Sequence, residues 1–131
     1  MCCQNDGRSL AALRKRCEGG KRVQAWKIME KCGETLRSYV VGQHVCGPGR
    51  MHTHSVAEEY HRETPHGIHV YLKKPMVISR GVVAVEVLCT QPIACSRTDY
   101  ELPEAVFLDV EITQEEWDRL FPPLEAHHGD T

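Results

Sequence analysis

Apolar residues recur along this chain with two periods, and the switch between them marks its elements. Leu10, Leu13 and Cys17 fall at helical spacing on one face, with Ser9 placed to cap them and Gly19-Gly20 to stop them. That spacing predicts a short helix over Leu10 to Glu18. Val23 to Met29 carries Val, Trp and Ile and predicts a strand. A turn follows across residues 30–34, and Thr35 to Val41 returns, setting Trp26 and Tyr39 to pack across a hairpin. Further on, Ile68, Val70 and Leu72 alternate with His69 and Tyr71, and Lys73-Lys74-Pro75 closes that strand. Val82 to Cys89 is nearly all apolar and predicts a central strand.

Pro92 and Pro103 bracket a stretch read as irregular, after which Ala105 to Ile112 alternates with Val106, Leu108, Val110 and Ile112 inward. Thr113 and Glu116 stand at capping-box spacing before Trp117, Leu120 and Phe121, and Pro122-Pro123 ends the helix they start. The fold class expected is α+β: a small curved, mostly antiparallel sheet of five or six strands with a short helix at each end. Residues 1–22 form a polar N-terminus and short helix, its first eight residues loose. Residues 23–121 form the single α+β domain, and 122–131 a tail.

Composition narrows the function classes. A chain of 131 residues with 41% hydrophobic and 26% charged residues has enough core to fold without a metal or disulfide. Sixteen basic against 18 acidic residues leave a net charge of −2, which argues against general nucleic-acid or anionic-membrane binding. Arg8, Arg14, Lys15, Arg16, Lys21 and Arg22 cluster early and read as a solvated helix face, whereas the C-terminal half is acidic. Such polarity suits docking to another protein. No apolar run approaches the ~20 residues of a membrane span, and no secretory signal is evident. Seven cysteines with no CxxC spacing read as reduced cytoplasmic thiols, Cys89 among them acting as a small hydrophobe.

Candidate chemistry concentrates in one place. Six of the eight histidines lie from His44 to His69, one before and five after the Gly47-Pro48-Gly49 break. If His52-Thr53-His54 is extended, both imidazoles project from one face. With Glu58, and with His61 or His69 as a further ligand, they offer a set for a transition metal such as zinc, iron or nickel. The competing reading is a polar surface for a protein partner, with Arg50, Tyr60, His66 and Tyr71 as contacts. Cys46 beside His44 or His61 is a further pairing that nucleophilic chemistry would require. No GxSxG, phosphate-loop or dinucleotide glycine pattern occurs.

Three resemblances bear on these residues. His52-x-His54-x-x-x-Glu58, preceded by Gly47 and Gly49, resembles the first metal motif of the cupins and implies metal-dependent chemistry on a β-barrel. Cupins supply another histidine well downstream, whereas here none lies between His69 and His127. His61 with Gly67-Ile68-His69-Val70-Tyr71-Leu72 is similar to ADP-ribosyltransferase-like domains, which implies an NAD-binding cleft. The order of Trp26-Lys27-Ile28, Gly33, Thr35-Leu36-Arg37-Ser38, Gly47-Pro48-Gly49-Arg50, the Gly67–Leu72 strand and the two final strands resembles short phage and prophage accessory domains over residues 23–121. That resemblance implies a non-enzymatic protein that works in the host cytoplasm by binding a host protein, for instance to blunt a defence system.

Overall fold

The computed structural model describes residues 3–38, 44–51 and 67–123. Among these, strands β1 (Val23–Cys32), β2 (Thr35–Ser38), β3 (His44–Val45), β4 (Gly49–Met51), β5 (Ile68–Tyr71), β6 (Val82–Cys95) and β7 (Glu104–Ile112) form one antiparallel sheet. Helix α1 (Gly7–Arg16) precedes them and α2 (Gln114–Leu120) follows. The expected α+β class, curved antiparallel sheet and terminal helices are therefore present, with seven strands in the sheet.

The strand pairing closes on itself. β1 pairs with the first half of β6, β6 with β7, β7 with β5, and β5 returns to β1 where Trp26 faces Tyr71. Closure rolls the sheet into a small barrel and removes most free strand edges. The interior takes Ala25, Met29, Val70, Val85, Val87, Cys89, Phe107, Val110 and Ile112, all essentially inaccessible to water. Cys89 is there as the small apolar side chain its strand suggested.

Local chemistry explains the boundaries. β1 and β2 meet through a two-residue turn, Gly33-Glu34, in which Gly33 has φ 61°. A positive φ at the first turn position suits glycine and matches the twist of the flanking strands, so the turn is tighter than residues 30–34. The Trp26–Tyr39 packing falls partly on Tyr39, outside the described residues. Helix α1 begins earlier than Ser9, because the Asp6 carboxylate accepts from both the Ser9 N–H (3.0 Å) and the Ser9 hydroxyl (2.7 Å). Asn5 and Asp6, just before it, are tied down. Asp6 N–H donates to the Cys95 carbonyl at 2.7 Å, and Cys95 N–H donates to Asn5 Oδ1 at 2.9 Å.

Two sequence expectations fail in β6 and β7 for one reason. Pro92 does not end β6, which runs on to Cys95 across a bulge between Pro92 and Ala94. A bulge is where a strand tolerates a residue without a donor. Gln91, at φ 62°, changes the inward phase there, and β7 changes phase opposite it. Leu108 therefore points outward, 45% exposed, while Phe107 takes the core position. Gly67 lets β5 start close against β7: a Cβ there would lie 2.5 Å from Val106 Cγ1 and 3.0 Å from the Phe107 carbonyl oxygen.

α2 covers the part of β6 that no second strand reaches. Thr113 caps it by accepting from Glu116 N–H at 3.1 Å. Glu116 does not reach back as a capping box would. It is buried, accepts from the Glu86 backbone N–H at 2.8 Å, and holds Arg119 at 2.7 Å.

Candidate functional site

β5 carries the only predicted histidine ligand within the described residues, His69. His52, His54, Glu58, His61, and the predicted partner contacts Tyr60 and His66, all lie outside them. Alternation puts Ile68 and Val70 in the core and leaves His69 and Tyr71 half-exposed on the outer face, as the period of two requires. Their rings meet edge to face, with centroids 5.2 Å apart. Tyr71 faces Glu104 across the ladder, and His69 Nε2 lies 3.1 Å from Glu104 Oε1. Burial holds the His69 imidazole below its ordinary value, against the pull of Glu104 and helped by the Lys27 ammonium. A neutral ring at pH 7 thus donates its Nε2–H to the carboxylate. Burial and the same carboxylate push the Tyr71 phenol up.

Lys27 completes this cluster, although no sequence motif singles it out. It occupies the inward phase of β1 between Ala25 and Met29. Its ammonium donates to the His69 backbone carbonyl at 3.0 Å, beside the point where β1 leaves β5. Burial pushes its pKa down to about 8. Position was the available signal: a lysine at the inward phase of an apolar strand must find a carbonyl or a carboxylate.

The two predicted contacts among the described residues, Arg50 and Tyr71, lie apart. Arg50 sits opposite Glu111 and Tyr71 opposite Glu104, seven residues apart on β7, or roughly 23 Å along the strand. Arg50 is exposed and pairs with Asp109 at 3.3 Å. Among the described residues no three His, Cys, Asp or Glu side chains gather as a metal set. The side chains of Cys46 and His44 share no hydrogen bond among the described residues, and both residues are exposed. Burial pushes the thiols of Cys17, Cys95 and Cys89 up, Cys89 to about 12, which leaves them little thiolate for nucleophilic work. A shallow cavity of about 350 Å³ lies where α1 meets the bulge, lined by Arg14, Cys17, Thr90, Gln91 and Pro92. Arg14 Nε already donates to the Pro92 carbonyl there, at 3.4 Å.

The feature with the clearest physical demand comes after β5. Residues 73–80 leave the barrel after the Leu72 N–H bonds to the Pro103 carbonyl, and rejoin it before β6. Pro75 is buried and Val77 half-buried, while Met76 and Ile78 are each 90% exposed. The segment thus alternates like a strand, with two large aliphatic side chains turned to water. Lys73 and Lys74 stand before them and Arg80 after, all exposed. In the sequence, Lys73-Lys74-Pro75 reads as a strand end, and no motif gives residues 76–80 a role. Their apolar character is visible there; their exposure is not.

Comparison with known protein families, curated proteins and solved structures finds no match to this chain. No helix among the described residues is long and apolar enough to cross a membrane.

Proposed function

We propose that this chain is a non-enzymatic accessory protein that acts by binding another protein, with residues 73–80 as its contact. One observation carries the reading: Met76 and Ile78, two positions apart on an extended segment, are each 90% exposed. Folding ordinarily removes such side chains from water, at roughly 1.5–3 kcal/mol apiece. Two of them side by side, rimmed by charges, are what a docking surface offers and a core does not. Lys73, Lys74 and Arg80 give the segment a local positive charge on a chain of net −2, so it favours an acidic partner and a fixed orientation.

The resemblance to phage accessory domains supplies the kind of target, a host protein, with inhibition of a defence component as the expected consequence. The test is a paired affinity capture from host lysate with wild-type and Met76→Ser/Ile78→Ser baits. The wild type should recover a partner in near-equal amounts that the variant loses at unchanged melting temperature. Equal recovery by both baits would remove residues 73–80 as the contact.

A further inference from the structure

We infer that residues 73–80 bind by adding a strand to an exposed sheet edge on an acidic partner. The inference rests on the protein-binding reading above and says how that contact is made. Residues 73–80 have the side-chain alternation of a strand, Pro75 and Val77 in, Met76 and Ile78 out. Yet they belong to no sheet, and residues 73–78 make no backbone hydrogen bond to another described residue. Among the described residues nothing pairs with their C=O groups or with their N–H groups (Pro75 has none), so a partner strand can supply those bonds. Main-chain pairing would supply the bonds, and pockets for Met76 and Ile78 the selectivity.

Charge decides between a second copy of this chain and a different protein. A two-fold antiparallel pairing that sets Met76 against Ile78 of its mate is centred on Val77. It places Lys74 opposite Arg80 of the mate at both ends. Like charges directly opposite destabilise a strand pair, so the segment repels itself in the one register that buries its apolar side chains. A strand flanked by Asp or Glu turns the same positions into cross-strand ion pairs. The occupant is accordingly an acidic edge strand of another protein.

The probe is a short peptide of alternating valine and threonine with two glutamates at each end, alongside a control with lysines in their place. Hydrogen exchange of the full chain reports on the backbone itself. With the acidic peptide at about ten times its dissociation constant, the alternate amides on the paired edge, those of Val77 and Ser79, should exchange about tenfold more slowly. The lysine peptide should leave them unchanged, and Val77→Pro, which deletes one donor, should weaken acidic-peptide binding. No slowing up to millimolar acidic peptide, or equal slowing by both peptides, would overturn the inference. So would protection without peptide that rises with protein concentration, which identifies a second copy. Anionic phosphatidylserine vesicles are the last arm, and protection by vesicles alone would assign the segment to a lipid surface. Capture that depends on Met76 and Ile78 with unprotected amides would leave protein binding standing and remove strand addition.

Discussion

Lys27 shows how a single residue can be placed by the sequence and still be missed. Its inward phase is fixed by Ala25 and Met29 on either side. Its partner, the His69 carbonyl, is set by a chain crossing forty residues later that no local pattern reveals. Because burial lowers its pKa to about 8, well under the ordinary 10.5, the unfolded chain holds more protons than the native one between those values. Stability from this group is full above pH 10.5 and is lost as pH falls through 8. Wild type should therefore gain about 1 kcal/mol relative to Lys27→Met between pH 7.5 and 10, a figure already reduced for solvent access and for the bond to His69. Urea unfolding at the two pH values measures it, and parallel losses in both proteins would show that Lys27 is not buried in this way. His69 and Tyr71 are more legible, because strict alternation with Ile68 and Val70 needs only neighbours in sequence.

At the scale of elements, periodicity finds β1, β2, β5, the first half of β6, β7 and both helices. It fails where the chain changes phase. Pro92 reads as a break because it lacks a donor, yet a bulge with Gln91 at φ 62° carries the strand through it. The same slip turns Leu108 out and Phe107 in, an inversion that no run of alternating residues announces. Glu116 reads as a helix-capping group, whereas its carboxylate serves the barrel by accepting from Glu86 N–H on the uncovered stretch of β6. Burial alone would raise that carboxyl, but Arg119 and the Glu86 amide outweigh it and hold it below its usual value. Glu116→Ala should cost about 2 kcal/mol, since it strands a buried donor, and Glu116→Gln, which keeps an acceptor, about half of that. Chemical denaturation compares them; equal losses would mean that the Glu86 bond adds nothing.

For the whole molecule, the barrel and the surface obey different rules. Hydrophobic pattern and β-branched content make the sheet legible, and closure comes from β6 being long enough to serve β1 and then β7. The histidine segment stands out in the sequence because its residue types carry chemistry, and most of it lies outside the described residues. Met76 and Ile78 do not stand out, because aliphatic residues are read as core by default. Only a folded structure distinguishes an apolar run that packs from one that is presented to solvent.

The affinity of the captured partner for point variants tests the central claim most directly. Met76→Ser and Ile78→Ser should each weaken binding by at least about tenfold, the loss expected for truncating an anchor worth over 1 kcal/mol. Leu108→Ser, which removes an exposed aliphatic from β7, should change it by less than about twofold. Comparable losses at Leu108, or none at Met76 and Ile78, would contradict the claim that residues 73–80 are the binding surface.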